Sequence, residues 1–178
     1  MTIRPAQPRD APEIARIHVR TWQAAYRGQL PDAYLKSLDA EIDQRTAWWE
    51  RVIANAAARR QRQLLASDGD RVVGFVTFGP SDGEPDPEVG EVYAIYVDPD
   101  SWDRGFGRQL FAAAARGLAD AGFGAATLWV LDSNARARRF YEAAGWAADG
   151  ATKVERRGDI ELHEVRYRSG KLANAAPR

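Results

Sequence analysis

Two hydrophobic periods alternate along the chain, and the points where one replaces the other divide it into strands and helices. Short apolar or alternating runs predict strands over residues 2–6, 63–67, 72–78, 91–97, 126–131 and 160–168, and another from residue 146 onward. Apolar residues at helical spacing predict helices over residues 10–28, from 31, over 39–53, over 107–121 and over 134–144. This order predicts a mixed sheet with helices on both faces, which is the α/β class, or α+β in stricter schemes.

The residues at the element ends support these boundaries. Asp10-Ala11-Pro12-Glu13 supplies an N-cap, an early proline and an acid placed for a capping box. Gly28 and Gly145 are placed to end helices in left-handed caps. Asp68-Gly69-Asp70 has the chemistry of a hairpin turn, and residues 79–90 concentrate proline, glycine and acids, which predicts a loop.

Length and composition indicate one domain without thiol or metal chemistry. A chain of 178 residues with 45% hydrophobic content can bury one core, so we expect a single domain over residues 1–170 and a disordered tail over 171–178. The 25 basic and 25 acidic residues cancel, which disfavours nucleic acid and membranes as partners. No cysteine is present and there are two histidines, so no metal site is expected. Without an apolar signal core or a membrane span, the chain is expected to be cytoplasmic.

Residues 97–108, VDPDSWDRGFGR, join the predicted central strand to the following helix. Gly105 and Gly107 allow a tight turn, and the free N–H groups at the helix start form a nest for an anion such as a pyrophosphate. Arg104 and Arg108 are candidates for hydrogen bonds to phosphates. Taken alone, the two glycines fit an ordinary strand-to-helix turn equally well. Leu110 stands where a dinucleotide fingerprint needs a small residue, and no lysine follows Gly107 as in a nucleoside-triphosphate loop.

Two motifs in this order resemble the Gcn5-related N-acetyltransferase (GNAT) family. The strand end Val97-Asp98-Pro99 with Arg104-Gly105-Phe106-Gly107 is similar to that family's pyrophosphate loop. Residues 128–131, Asn134, 137–141 and Gly145-Trp146 are similar to its next strand, its asparagine, its Phe-Tyr pair and its terminal Gly-aromatic pair. The chain departs from the family at Trp102, where Gln or Arg is usual, and at Asp103, where glycine is frequent. The resemblance spans about residues 3–168 and implies a mostly antiparallel sheet, split between its central strands.

The resemblance also implies an activity and a coenzyme site. It implies that acetyl-coenzyme A, as co-substrate, gives its acetyl group to a primary amine by direct attack in a ternary complex, without a metal. The coenzyme's arm is then expected in the gap between the split strands. The residues expected to bind the coenzyme are Ile95, Val97, Asp103, Arg104, Gly105, Phe106, Gly107, Arg108 and Asn134.

Two residues are the first candidates for proton transfer. Tyr141 matches the family's general acid, and a phenol with a pKa of about 10 can give a proton to a departing thiolate. The alternative role of Tyr141 is structural, because a Phe-Tyr pair usually packs a helix onto a sheet. The alternative role of Asn134 is to cap the same helix. Glu91, which opens the central strand, is the first candidate for the general base.

The role of Glu91 depends on the strand face on which it lies, and other residues are weaker candidates for the base. An unbroken alternation would place Glu91 on one strand face with Tyr93 and Ile95, and a bulge would change this. Glu161 and His163 are alternatives for which surface roles are expected, and His18 is expected to be a buried, hydrogen-bonded histidine.

The acceptor is less defined than the coenzyme. By the resemblance it enters beside the first two helical segments, where Trp22 and Tyr26 are candidate contacts. The acids among residues 82–88 would attract a cationic amine, although exposed loops normally contain such charges. We expect a small-molecule amine. A protein N-terminus or lysine in an open groove, a non-catalytic acyl-coenzyme A sensor, another acyl group and a homodimer stay open.

Overall fold

The structure, a computed structural model, describes residues 1–172 and contains one mixed sheet. Its strands are β1 (Thr2–Pro5), β2 (Arg62–Asp68), β3 (Arg71–Pro80), β4 (Val89–Val97), β5 (Ala125–Leu131), β6 (Ala147–Arg157) and β7 (Ile160–Arg168). They lie in the order β1-β2-β3-β4-β5-β7-β6. Neighbouring strands are antiparallel except β4 and β5, which run parallel. The predicted mixed and mostly antiparallel sheet is confirmed.

Helices cover both faces of this sheet, as predicted. They are α1 (Ala11–Ala25), α2 (Asp32–Ser37), α3 (Ile42–Ala54), α4 (Phe106–Asp120) and α5 (Ala135–Ala143), with short 3-10 turns at Pro8–Asp10, Leu38–Glu41 and Pro99–Ser101. Helices α1 and α3 bury Trp49 against Phe75 of β3 on one face. Helices α4 and α5 form the larger core on the other face, around Leu110, Leu118 and Leu128.

The sheet opens between its two central strands. Strands β4 and β5 pair only through the first three residues of each. Thr77 of β3 pairs with Ala94 whereas its neighbour Phe78 pairs with Val92, so Tyr93 is an extra residue in β4. Such a bulge bends and twists its strand, which accounts for the divergence of β4 from β5. The split that the resemblance implied is therefore present.

The loop before β4 is shorter than predicted. The sequence indicates a loop over residues 79–90, but β3 continues to Pro80 and β4 begins at Val89. Ladder pairing between Pro80 and Gly90 extends both strands despite their poor intrinsic strand propensity. Tertiary pairing outweighs local composition here.

The chain end is described as far as Leu172. Its N–H donates to the Gly124 carbonyl at 2.9 Å and its side chain packs against the larger core, so this residue of the predicted tail contacts the domain. Residues 173–178 of that tail lie outside the described residues. Within residues 1–172, none of the helices has the length and hydropathy needed to cross a bilayer.

Candidate active site

A buried carboxylate anchors the chain where it leaves β4. Asp98 is 0% exposed and accepts hydrogen bonds from Arg16 Nη1 at 2.9 Å and from the Asp100 N–H at 3.1 Å. Burial works to raise the pKa of Asp98, but these hydrogen bonds and the charge of Arg20 hold it below its ordinary value. The anchor ties the end of β4 to α1 and fixes the start of the loop that follows.

The loop then turns sharply into α4. Gly105 has φ +85°, and beyond its chain neighbours no heavy atom of residues 1–172 lies within 4 Å of the place where its Cβ would be. Asp103 also has a positive φ, 59°, a backbone conformation that glycine adopts more easily than other residues. The helical ladder begins with Gln109 N–H donating to Gly105 O at 3.2 Å. The N–H groups of residues 106–108 precede this bond and form the positive end of α4, which suits an anion.

Strand β4 directs backbone groups into the gap. Asp98 N–H donates to Val73 O at 2.8 Å, which makes residues 73 and 98 a hydrogen-bonded pair of the antiparallel ladder. The alternating pairs, which include Val97 and Ile95, are then non-hydrogen-bonded pairs. The N–H and C=O groups of Ile95 and Val97 therefore face away from β3 and toward β5. The Val97 carbonyl already accepts from Thr21 Oγ1 at 3.1 Å and from Trp102 Nε1 at 2.7 Å. Its two lone pairs are used, which leaves the Val97 N–H and the Ile95 groups as the available backbone contacts.

The arginines near the loop fall into two groups, one away from the cavity and one in its lining. Arg104 pairs with Asp68 at 2.7 Å and lies over the Phe106 ring at 5.2 Å, so its guanidinium is held at the β2–β3 turn. Arg104 is not among the residues that line the cavity, and its predicted role as a phosphate ligand stays a prediction. Arg108, Arg136 and Arg139 instead line the cavity beside the loop. The predictions had included only the first of these three.

Helix α5 carries the two residues predicted on its motif. Asn134 is its N-cap, because the side-chain Oδ1 accepts from the Ala137 N–H at 3.1 Å. Tyr141 packs its ring in the larger core, 5.4 Å from the Phe111 ring, and the same residue forms part of the cavity wall. Burial, reinforced by the neighbouring Tyr96 phenol, raises the pKa of Tyr141 above its ordinary value. The packing role and the chemical role therefore coexist.

Glu91 lies at the other side of the gap, at the end of the paired part of β4. Its carboxylate accepts from Ser81 Oγ at 2.7 Å. Burial raises the pKa of Glu91, although the Ser81 hydrogen bond and the charge of Lys153 oppose the rise. The bulge at Tyr93 breaks the alternation, since Ile95 packs with the α4-side core as Val92 does, while Tyr96 packs with the α1-side clusters. Glu91 thus lies on the same face as Tyr96. In an unbroken strand it would have shared a face with Ile95, but the bulge places the two residues on opposite faces.

Helix α1 supplies the predicted acceptor contacts. Trp22 Nε1 donates to the Tyr96 hydroxyl at 3.0 Å, and the Trp22 and Tyr26 rings meet edge to face at 4.9 Å. Both residues line the cavity. Burial and the nearby phenols of Tyr96 and Tyr141 raise the pKa of Tyr26, and the Asn134 side chain opposes this. Residues from α1, β4 and α5 therefore line one cavity.

The β6–β7 hairpin closes the far end of the cavity with residues that the sequence did not single out. Glu164 pairs with Lys153 at 3.2 Å, and Lys153 lies over the Trp129 ring at 4.5 Å. Burial raises the pKa of Glu164 against the charge of Lys153. Arg157 lies over the Trp22 ring at 4.8 Å. The alternation of residues within β6 and within β7 could have indicated which side chains share a face. The register between the two strands, which the sequence does not reveal, decides that this face lies at the gap.

A cavity of about 880 Å³ joins these parts. It extends from the first turn of α4, along the open edge of β4 and the start of α5, to the carboxyl groups of Glu91 and Glu164. This volume is within the range of about 300–1,000 Å³ typical of small-ligand sites. The free space at Gly105, the amide groups of α4 and the open edge of β4 fit a long ligand with an anionic end. A split sheet with such a cavity is the arrangement that the resemblance to the GNAT family implied, that of an acyl-coenzyme A-dependent transferase.

Comparison with known families gives the class its name. The family model described as Acetyltransferase (GNAT) family matches residues 14–146. The chain belongs to this family and is an acetyl-coenzyme A-dependent N-acetyltransferase of the GNAT type.

Three relatives show the range of similarity. YuaI of Bacillus subtilis (strain 168), named as an uncharacterized N-acetyltransferase, is 32% identical over 135 residues, which cover 75% of this chain and 73% of the relative. A probable N-acetyltransferase of Mycobacterium tuberculosis (strain ATCC 25618 / H37Rv) is 30% identical and covers 84% of this chain and 82% of its own. A mycothiol acetyltransferase of Rhodococcus erythropolis (strain PR4 / NBRC 100887) is 31% identical over 79% of this chain, which spans about half (52%) of that relative's length.

Solved structures agree with the fold. PaiA N-acetyltransferase from Thermoplasma acidophilum, in complex with coenzyme A, has a TM-score of 0.73 at 16% identity and covers 95% of this chain and 98% of its own. YncA from Salmonella typhimurium, a putative acetyltransferase with its cofactor acetyl-CoA, has a TM-score of 0.70 at 21% identity and covers 100% and 98%. At these identities the likeness establishes the architecture.

Proposed function

We propose that this enzyme acetylates a primary amine of a small molecule, by direct attack in a ternary complex with acetyl-coenzyme A. The observation that carries the proposal is the continuous cavity, which has an amide nest at one end and the carboxyl of Glu91 at the other, with Tyr141 in its wall. Acetyl-coenzyme A supplies an activated thioester when it is bound.

The coenzyme contacts are assigned to backbone groups first. The N–H groups of residues 106–108 and the glycine turn at Gly105 hold the pyrophosphate, because a helix start combines free donors with a favourable dipole. The open backbone groups of Ile95 and the Val97 N–H hold the arm in the gap. Asn134, whose Oδ1 is used for capping, contributes its amide N–H groups.

Proton transfer is assigned to Glu91 and Tyr141. Glu91 takes a proton from the acceptor ammonium, directly or through a water, so that a neutral amine can attack. As the new N–C bond forms, an N–H on the open edge of β4 donates to the carbonyl oxygen that becomes negative. Tyr141 donates its phenolic proton to sulfur while the C–S bond breaks. The nitrogen loses one more proton and Tyr141 regains one. The products are the N-acetylated amine and a thiol, and the proton on Glu91 returns to solvent.

The partly covered acceptor end supports a small molecule over a peptide. Trp22 of α1 is covered by Arg157 of the hairpin, and Gln29 Oε1 accepts from Ser133 Oγ at 2.8 Å, a hydrogen bond between two residues that line the cavity. Helix α2 and the hairpin share an apolar cluster with Leu35, Leu38 and Leu162. A peptide would need an open groove with exposed backbone partners between these elements. Relatives named mycothiol acetyltransferase are consistent with a small acceptor.

A panel of acceptors tests this proposal. Purified enzyme and acetyl-coenzyme A would be incubated with amino acids, polyamines and amino sugars, and separately with peptides that carry free N-termini or lysines. Free thiol released above the hydrolysis background identifies the acceptor class. Turnover of a small amine, lost in Tyr141→Phe, is the expected result. Turnover confined to the peptides would overturn the small-molecule assignment.

A further inference from the structure

Trp102 and Arg136 form a fixed pair at the coenzyme end of the cavity. Arg136, in the first turn of α5, lies over the Trp102 indole with its Cζ 4.0 Å from the ring centre. Its Nη2 donates to Asp103 Oδ1 at 3.0 Å. Trp102 is itself held by its 2.7 Å hydrogen bond to the Val97 carbonyl. Cation–π stacking and a charge-assisted hydrogen bond thus both orient an exposed arginine.

The loop lacks other fixed side-chain cations. Trp102 occupies the position where the resemblance leads one to expect Gln or Arg, and Arg104 is committed to Asp68 at 2.7 Å. Arg136 reaches the same place from α5 and lines the cavity. A guanidinium has five N–H donors in a planar fork, and stacking on a ring leaves its edge free to meet a phosphate. One of these donors is used by Asp103, and the others remain for a ligand.

We propose that Arg136 is a coenzyme phosphate ligand, held in place by Trp102, and that it supplies the side-chain donor that position 102 lacks. This inference rests on the proposed coenzyme site. The partner is a phosphate of the coenzyme, either the pyrophosphate or the 3′-phosphate of the ribose. Trp102 is a positioning residue, since it acts through Arg136.

Calorimetric titration with two ligands tests the assignment. Coenzyme A and 3′-dephospho-coenzyme A would be titrated into the wild type, Arg136→Gln and Arg116→Gln. Arg116 is an exposed arginine of α4, and its substitution removes the same charge outside the cavity lining. We expect Arg136→Gln to raise the Kd for coenzyme A about tenfold or more, as for loss of a charged hydrogen bond, and Arg116→Gln to leave it unchanged.

The two ligands identify the phosphate. A loss seen with coenzyme A alone assigns the 3′-phosphate, and an equal loss with both ligands assigns the pyrophosphate. Equal coenzyme A affinity in the wild type and Arg136→Gln overturns the inference and leaves the proposed function intact. Failure of the wild type to bind coenzyme A would instead overturn the proposed function.

A double-mutant cycle tests the role of Trp102. Trp102→Leu should weaken coenzyme A binding in the wild-type background. It should have little effect in Arg136→Gln, because the Trp102 indole then has no guanidinium to orient. Additive losses in the double variant would show that Trp102 does not act through Arg136. Thermal denaturation of each variant monitors folding separately from binding.

Discussion

Glu91 and Tyr141 show how burial changes the acid–base strength of single residues. Burial raises the pKa of the Glu91 carboxyl, which makes its carboxylate a stronger base than an exposed glutamate. Burial also raises the pKa of the Tyr141 phenol, which keeps it protonated to higher pH and makes it a weaker acid than an exposed phenol. Both side chains have structural roles too, in a hydrogen bond with Ser81 and in the aromatic core.

Replacing Tyr141 by phenylalanine removes the donor and keeps the ring packing. We predict that kcat falls by about 10²-fold or more, the usual size of a general-acid contribution, while coenzyme A affinity is unchanged. Tyr167→Phe is a matched control, because it removes the hydroxyl of another buried tyrosine, which accepts from Arg138 at 3.2 Å and donates to Glu142 at 2.6 Å. That variant should lose stability and keep its kcat. Equal rates for Tyr141→Phe and the wild type would refute the assignment.

Glu91 should set the acid side of the pH profile. A base must be ionised, so kcat falls as pH drops through its pKa, and the raised pKa of Glu91 moves this fall above the range of an ordinary glutamate. Glu91→Gln is predicted to lower kcat about 10²-fold or more at neutral pH, and to lose the acid limb. Glu88→Gln, in the exposed loop before β4, is the control. An acid limb that persists unchanged in Glu91→Gln would assign the base elsewhere.

At the scale of elements, β4 shows the limit of sequence reasoning. Its apolar residues predict a strand, and the glycines after it predict the turn into α4, because both signals are local. The extra residue at Tyr93 is not visible in the sequence, since a bulge is defined by pairing with β3 and leaves composition unchanged. Yet this residue inverts the alternation and decides which side chains join Glu91 at the gap.

Helix α1 carries His18, which was expected to be buried and hydrogen-bonded. His18 stacks on Tyr96, with ring centres 4.8 Å apart, and its buried Nδ1 has no hydrogen-bond partner within residues 1–172. Burial, together with the charges of Arg45 and Arg157, lowers the pKa of His18 to about 3. The histidine is therefore neutral in the folded protein.

This titration predicts acid-dependent stability. The unfolded chain binds a proton at His18 near its ordinary pKa of 6.5, and the folded chain only near 3, so the unfolded state binds more protons in between. The free energy of unfolding should decrease as pH falls below 6.5, by at most about 1.4 kcal/mol per pH unit from this residue. Denaturant unfolding from about pH 7 to about pH 5 measures the slope, because most carboxylates titrate at lower pH. His18→Phe, which keeps the stacking, should have the shallower slope, and identical slopes would exclude His18 as the cause.

At the scale of the whole molecule, the site forms where elements distant in sequence converge. The family, the sheet and the coenzyme loop could be predicted because contiguous motifs carry them. Lys153 and Glu164 could not, because they reach the cavity only through the β6–β7 register and the placement of that hairpin beside β5. The acceptor end therefore depends on long-range pairing, and the coenzyme end on local sequence.

The central claim is that acetyl-coenzyme A binds at the start of α4 and in the gap beside it. Gly107 lines the cavity, and a Cβ there would make only ordinary contacts, 3.7 Å from Val97 and 3.8 Å from Phe140. Gly107→Trp should thus fold and fill the amide nest. Gly170→Trp, at an exposed position with no heavy atom of the described residues near its Cβ beyond its chain neighbours, is the control.

Calorimetric titration of acetyl-coenzyme A into these three proteins is the most direct test. The account predicts binding with a Kd of about micromolar order, or about −8 kcal/mol, for the wild type and Gly170→Trp, and none for a folded Gly107→Trp. Equal binding by all three proteins, or no binding by the wild type, would contradict it.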